Sequence, residues 1–570
     1  MIATTFPWLG RCVLVVVLAC GAGVAHAQSA TLVLFNGRIW TENPGQPEAE
    51  AIAIERGRVA AVGTSVAMRK LAGPDCQVID LKGRRVVPGF NDAHVHFLSG
   101  GSALSGVQLV DASSPAELRR RISEFAGKAG KGTWIRDGNW DETLWSPAAL
   151  PTHQLIDEVT PDNPVMVWRV DGHAVLVNAL ALKLAGIDRN TRDVTGGEIV
   201  RDGAGNPTGV LRDQATGLVE RIVPALSAAE VDAAMTAALH EAARHGVTSV
   251  QNLVDTPTEH DTAGKLREFQ KFAHAGLLSV RIYDAGALRD WKSFADVGIQ
   301  AAFGDALLRT GNLKAFADGS LGSETAWMSA PYADDARNHG LASGDLEDPV
   351  AMYGYIQGAD KAGLQVSIHA IGDRAIHEVL NLMERAEKED GPADRRFRIE
   401  HVQHLGAADV ARLAPLGVIA SMQPYHAIDD GRFAEKRIGA ARLQLSYAWR
   451  SLLDHGVVLA FGSDWPVAPL DPLMGIYAAT TRRTLDNRNP QGWVPAQRIT
   501  VAEAVHAYTV GSAFAEHQEG AKGSLEAGKL ADLVVLTGDI FAMPPEQIAN
   551  VRVSLTVFNG SVIYRDSRQP

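Results

Sequence analysis

Between residues 84 and 464 the chain repeats one unit: a short apolar run that ends in polar or ionisable residues, followed by a stretch of helical periodicity. Eight such runs are present, RRVVPGFNDAHVHF, GVTSVQNLV, LLSVRIYDA, GNLKAFADGS, GLQVSIHAIGD, FRIEHVQHL, GVIASMQPY and GVVLAFGSD. Short apolar strands alternating with helices predict a parallel sheet. Eight of them predict an α/β fold of the (β/α)8 TIM-like type, whose working face lies at the carboxyl ends of the strands. The chain ends have another texture. TLVLFNGRIW and AIAIERGRVAAVG near the start, and LADLVVLTGD and VRVSLTVFNGSVIY near the end, alternate apolar residues with turn pairs such as Asn36-Gly37, Arg56-Gly57 and Asn559-Gly560. This is strand and hairpin chemistry. The two flanks, 29–87 and 519–566, are expected to form one small β-sandwich domain beside a barrel at 88–518. Residues 98–240 separate the first run from the second and contain Trp134, Trp140, Trp145 and Trp168. They are expected to be a large insertion after the first strand that builds a lid or pocket wall.

Residues 1–27 stand apart from this pattern. One positive charge at Arg11, the apolar stretch CVLVVVLACGAGVA and the small-residue site Ala25-His26-Ala27 predict a secretory signal peptide, cleaved before Gln28. The protein is therefore expected to be exported to the periplasm or beyond. Val17-Leu18-Ala19-Cys20 offers a competing site that would leave Cys20 lipidated. The apolar stretch is too short to cross ~30 Å of hydrocarbon as a mature helix, and nothing later approaches ~20 uninterrupted apolar residues. Cleavage before Gln28 removes Cys12 and Cys20 and leaves Cys76 alone, so no intramolecular disulfide is expected and Cys76 reads as a small buried hydrophobe. At 46% hydrophobic and 21% charged residues the chain has ample material for a core, which excludes global disorder. A net charge of −12 supplies no footprint for nucleic acid. A homo-oligomer remains open.

The strand ends carry the chemistry. His94 and His96 are two apart, so on a strand both imidazoles leave the same face, either as two ligands of one metal or as two core histidines. His369 ends GLQVSIH, His401 ends FRIEH, and Asp464 follows GVVLAFGS. Imidazoles and a carboxylate converging at a barrel mouth are costly unless a cation compensates them. Nitrogen and oxygen ligands without thiolate suit zinc, with manganese, iron and nickel as alternatives. Lys314 shares a strand face with Asn312, Phe316 and Asp318. It reads either as a salt bridge to Asp318 or Glu400, or as a carbamate that turns a cation into an anionic bridge.

PGFNDAHVHF, LKAFADGSLGSETA, SIHAIGD, RIEHVQHL and FGSDWPV resemble the motifs of the amidohydrolase superfamily, in particular amidohydrolase family 3 with its YtcJ-like and N-substituted formamide deformylase-like members. The resemblance spans nearly the whole chain after the signal. It implies that His94 and His96 bind a more buried divalent metal, that His369 and His401 bind a more exposed one, and that a carboxylated Lys314 bridges them. It also implies that Asp464 binds the first metal and handles protons, while His401 helps polarise the carbonyl. The reaction implied is hydrolysis of a non-peptide carbon–nitrogen bond, amide or formamide-like, in a small molecule by metal-activated hydroxide. The alternative on the same scaffold is a deaminase or cyclic-amide hydrolase. A ligand-binding protein with a vestigial centre would need missing ligands, and all six are present. His173, Asp318, Trp140 and His426 are the expected substrate contacts, and His404 is expected behind the ligands rather than among them. Glu324 departs from the pattern, standing where relatives often have arginine. Gly523 to Lys529 begins like a phosphate-binding loop, but Leu530 replaces the required Ser/Thr and strand-like LADLVVL follows. No Gly-x-Ser-x-Gly elbow offers a serine nucleophile.

Overall fold

The computed structural model describes residues 29–256 and 262–568. The signal segment and Cys20 lie outside the described residues. Each of the eight apolar runs forms a strand: β1 (Phe90–Val95), β2 (Val247–Asn252), β3 (Arg281–Ala287), β4 (Leu308–Phe316), β5 (Gln365–Ala370), β6 (Arg398–His401), β7 (Ile419–Met422) and β8 (Leu459–Phe461). They pair in sequence order, every neighbour parallel, from β1 through to β8. Their residues are buried on both faces almost throughout, which is why they read as near-continuous apolar runs rather than as an alternation.

The ring closes between the end of β8 and β1. The Asp464 N–H donates to the His94 carbonyl at 2.7 Å, and the His96 N–H donates to the Trp465 carbonyl at 2.8 Å. Buried Asp92 accepts the N–H of Ser463 at 2.8 Å and that of His94 at 3.2 Å. Glycine is required at 462, where a Cβ would stand 2.5 Å from the His94 nitrogen. The helices that follow the strands are capped by their own sequence. Ser227 and Glu230 form a capping box ahead of Ala228–His245, and Gly246, left-handed at φ 73°, ends that helix.

The chain ends meet in two sheets. One pairs Ala30–Phe35, Ala51–Glu55, Arg58–Gly63 and Ala72–Asp80. The other places Arg85–Pro88 of the amino-terminal flank beside Leu533–Leu536 of the carboxyl-terminal flank, in register from Val87 opposite Val534. Leu32, Leu34, Ile52 and Ile54 of the first sheet pack on Val86, Leu533, Val535 and Val557 of the second, forming a small β-sandwich. Asn36, Arg56-Gly57 and Asn559-Gly560 adopt the left-handed conformations that tight turns need. Cys76 is half-buried at an edge of the first sheet rather than deep in a core.

The long insertion contains its own five-stranded sheet, in the order Gly197–Arg201, Pro207–Asp213, Ala174–Val177, Val165–Arg169, Ile135–Trp140. Phe97–Ala103 and Ala228–His245 fall largely within the 98–240 segment, yet they pack on each other and on the barrel. The separate sheet therefore occupies only the middle of it. Among the described residues no helix is long and apolar enough to cross a membrane.

The amino-terminal end of the barrel is plugged by charge. Buried Glu516 accepts from Arg309 Nη2 at 2.7 Å, Lys522 Nζ at 2.6 Å and Asn91 Nδ2 at 2.5 Å.

Candidate metal centre

At the opposite, carboxyl end, the strands deliver six of the expected residues to one cavity of about 830 Å3. His94, His96, Lys314, His369, His401 and Asp464 all line it, as do His173 and His426. The register of the sheet sets their spacing. Phe316 lies opposite His369, His369 opposite Glu400, and Ala370 opposite His401. One ligand atom each from His94, His401 and Asp464 falls within 4.8 Å of the others. The rings of His369 and His401 are 4.5 Å apart, and those of His94 and His401 4.8 Å.

Residues behind the ring fix each imidazole. His94 Nδ1 meets Glu400 Oε2 at 2.8 Å, and Glu400 is in turn ion-paired to buried Arg398. His401 Nδ1 meets Gln423 Oε1 at 2.8 Å, and His96 Nδ1 lies 3.0 Å from Asp255 Oδ1. A carboxylate or amide behind a histidine selects the tautomer and turns the other nitrogen inward. His94 Nε2 and His96 Nε2 then approach Asp464 Oδ1 at 3.4 and 2.9 Å.

The electrostatics follow from burial. Burial, reinforced by the Lys314 ammonium, pushes His94 down to about 4. Burial also holds His369 and His401 well below the usual histidine range, with neighbouring imidazoles adding to it. Burial alone would raise Asp464, but His94, His96 and His426 outweigh it and keep that carboxylate ionised. Against its own burial, His96 is raised to about 9 by Asp255 and Asp464. Asp464 Oδ1, buried, has no properly aligned hydrogen-bond donor among the described residues. His96 is held protonated by its two carboxylates, but the buried Asp464 anion and the neutral imidazoles of His94, His369 and His401 still bring together more lone pairs than protons. Such a set fits a divalent cation.

Lys314 is buried among these groups. Among the described residues no carboxylate lies within 4 Å of its Nζ, so neither the Asp318 nor the Glu400 salt bridge forms. Burial pulls the amine down to about 8 against the attraction of Glu400 and Asp464, and Nζ sits 4.8 Å from the Phe316 ring centre.

Two expected substrate contacts are elsewhere. Asp318 does not line the cavity; its carboxylate accepts the N–H groups of Trp327, Ile371 and Gly372 at 2.8, 3.0 and 2.8 Å and so shapes the loops behind His369. Trp140 is fully buried in the core of the insertion, its indole donating to the Val167 carbonyl, and Trp168 is the tryptophan that reaches the cavity wall. His404 is buried off the cavity against Ser446. Glu324 is ion-paired to Arg437.

Sequence reasoning missed Asp213, Asp255 and Gln423. Asp213 Oδ1 meets His173 Nδ1 at 2.7 Å and orients that ring 5.0 Å from His369. None of the three carries a motif of its own, although each follows or ends a strand that reaches the site.

Residues 77–564 match the model of the Amidohydrolase family. The chain belongs to the amidohydrolase family. This amidohydrolase is 37% identical over 516 residues to Protein LONG AFTER FAR-RED 3 of Arabidopsis thaliana, covering 89% of this chain and 87% of the relative. It is 32% identical over 540 residues to the putative amidohydrolase YtcJ of Bacillus subtilis (94% and 99% covered), and 28% identical over 559 residues to the N-substituted formamide deformylase of Arthrobacter pascens (94% and 99%). Its fold superposes on the crystal structure of an uncharacterized metal-dependent hydrolase from Pyrococcus horikoshii OT3 with a TM-score of 0.72 and 26% identity, covering 90% of this chain and 99% of that one. The amidohydrolase is thus a metal-dependent enzyme that hydrolyses carbon–nitrogen bonds other than peptide bonds.

Proposed function

We propose that the substrates are N-substituted formamides or related small N-acyl amides, that the metal is zinc, and that the released product is a substituted amine. The convergence of His94, His401 and Asp464 beside a cavity wall carrying Trp168 and Phe316 carries this reading. The full-length similarity to a formamide deformylase supports it. His94, His96, His369, His401 and Asp464 would hold the metal. A divalent cation there supplies Lewis acidity that polarises an amide carbonyl and acidifies water. Asp464 accepts the proton of the attacking water and returns it to the departing nitrogen. His173, held by Asp213, donates to the carbonyl oxygen as negative charge builds there. His426, whose Nε2 is 3.8 Å from Asp464 Oδ2 and has no hydrogen-bond partner among the described residues, lines the cavity beside that carboxylate and is available to the substrate.

Lys314 is read as a carbamate. An amine drawn down to about 8 is neutral often enough to attack carbon dioxide; its nitrogen bonds the carbon and sheds a proton to solvent. The carbamate would replace the ammonium by a single negative charge shared over two oxygens, available to cations held by the surrounding histidines. Export is also proposed, on the composition of residues 1–27 and the single cysteine that cleavage would leave; mass spectrometry of the mature protein should find Gln28 first, a retained Met1 would refute export, and a lipidated Cys20 would refute cleavage before Gln28.

The deciding experiment pairs elemental analysis of the purified protein with a screen of N-formyl, N-acyl and cyclic amides, following amine release. Zinc in the protein and a substituted amine from formamides are expected. Release of free ammonia, or turnover confined to cyclic amides, would overturn the formamide reading in favour of the alternative chemistry on this scaffold.

A further inference from the structure

The aspartates that line the cavity are, with one exception, held by partners. Asp141 binds Arg432 at 2.9 Å, Asp171 takes Arg169 Nη1 at 2.6 Å, and Asp430 accepts the Tyr447 hydroxyl at 2.6 Å. Asp429 pairs with Arg432, Asp255 with His96, and Asp464 faces the ligand histidines. Asp137 differs. It lines the same cavity, half-buried, and among the described residues no cation or hydrogen-bond donor lies within bonding reach of its carboxylate. Its neighbour Arg136 also lines the cavity and attracts it at a distance, but the guanidinium is committed elsewhere, donating to the Pro224 carbonyl at 3.0 Å and facing Glu230 at 3.6 Å.

The backbone that presents Asp137 is held in an uncommon shape. Asp137, Gly138 and Asn139, inside the strand Ile135–Trp140, have φ of 71°, 106° and 57°, and the pairing with Val165–Arg169 slips register there. Side-chain-bearing residues stay left-handed only where their surroundings impose it, and such strain gathers at ligand sites. Two contacts impose it. Asn139 Nδ2 donates to the Pro466 carbonyl at 2.7 Å, two residues beyond Asp464, which pins the strand to the loop that carries the metal-site carboxylate. At Gly106 a Cβ would lie 2.6 Å from Asp137 Oδ2, so the glycine leaves room for the carboxylate. Burial raises the Asp137 carboxyl to about 6 against the attraction of Arg136, which leaves it mostly ionised at neutral pH with no cation in direct contact.

We infer that Asp137 receives a cationic nitrogen on the substrate, so that the preferred amides carry a second, protonated amine on the substituent that leaves. This rests on the reading of the site as an N-substituted amide hydrolase. Every other cavity aspartate is neutralised or engaged by the chain or the metal site, and an ammonium is the group that a lone, half-buried carboxylate selects.

The test compares mono-formylated diaminobutane and diaminohexane with neutral alkyl formamides of matched length. The wild-type preference in kcat/KM for the ammonium-bearing member should fall about 10- to 100-fold in Asp137→Asn, a loss on the scale of a charged hydrogen bond. Asparagine tolerates the left-handed backbone, and Asp137→Gly, which also does, serves as the second variant. A purely structural role would lower both members of a pair together and leave the ratio unchanged. Calorimetric binding of free 1,6-diaminohexane against neutral 1,6-hexanediol gives a readout independent of turnover; the Asp137-dependent excess affinity of the diamine should be lost in both variants. No ammonium preference in the wild-type enzyme, or an undiminished preference in Asp137→Asn, would overturn the inference. Asp137-dependent diamine binding without formamide turnover would instead leave it standing and refute the formamide reading.

Discussion

Glu516 and Asp464 are buried carboxylates at opposite ends of one barrel, and their surroundings differ in kind. Glu516 is met by a guanidinium, an ammonium and an amide N–H, all donors. Asp464 is met chiefly by imidazole nitrogens, two of them from rings that burial pushes far below neutrality. The amino-terminal end therefore balances its charge within the chain, as a structural plug does. At the carboxyl end lone pairs are brought together without enough protons, which is an arrangement that favours a cation. Counting buried charge alone would treat the two ends alike; counting donors against acceptors separates them.

Four experiments probe this contrast. Asp464→Ala or His94→Ala should cut turnover by about a thousandfold or more and lower bound metal, while each variant unfolds close to the midpoint of metal-stripped wild-type protein. A large loss of stability without metal loss would place these residues in the core instead. Arg309→Met at the other end leaves Glu516 with one partner fewer and should cost about 3–5 kcal/mol in denaturant unfolding, with metal content per folded chain unchanged. Parallel loss of metal would show that the ends are not independent.

Lys314→Ala should lose part of the metal and most of the activity, and short-chain carboxylates should partly restore both by supplying an anionic bridge. Lys314→Arg cannot form a carbamate and should be no less damaging. Full activity in Lys314→Arg would exclude the carbamate. The smallest effect concerns His245 on the outside of the barrel, a histidine that meets carboxylates instead of other imidazoles. Burial alone would lower it, but Asp471 and Glu241 raise it to about 9. Its folded value exceeds the unfolded ~6.5, so its stabilising share is fully present below about pH 6.5 and is lost as pH climbs through about 9. His245→Gln should cost about 1–2 kcal/mol at pH 6 and almost nothing at pH 10, with partial exposure reducing the effect. An equal cost at both pH values would assign His245 a packing role alone.

Much of this was legible in the sequence because barrel strands are buried on both sides and stand out as apolar runs. His94, His96, His369 and Asp464 were found by their position at the ends of those runs. Side-chain direction was less legible. Strict alternation would send Glu400 and His401 to opposite faces, yet Glu400 backs His94 while His401 joins His94 and Asp464 at the barrel mouth, because His401 and Val402 turn left-handed at φ 78° and 45°. Trp140 and Trp168 look alike as members of an aromatic insertion; which of them reaches the cavity depends on how a second sheet packs. Asp318 sits in a motif beside the site, but its role is to collect backbone N–H groups, and such partners leave no trace in a sequence.

The pairing of Val87 with Val534 has a consequence for how the molecule is made. A ribosome delivers the first partner hundreds of residues before the second, so the strand Arg85–Pro88 must wait with an open edge through synthesis of the entire barrel. Contacts so distant along the chain are slow to form, and waiting edges invite the wrong neighbour. The last strands thus act as a completion signal: a chain halted before Leu533 lacks Val534, Leu536 and Val553 from the barrel's own core and keeps a sticky margin, which marks it for capture by chaperones or for aggregation.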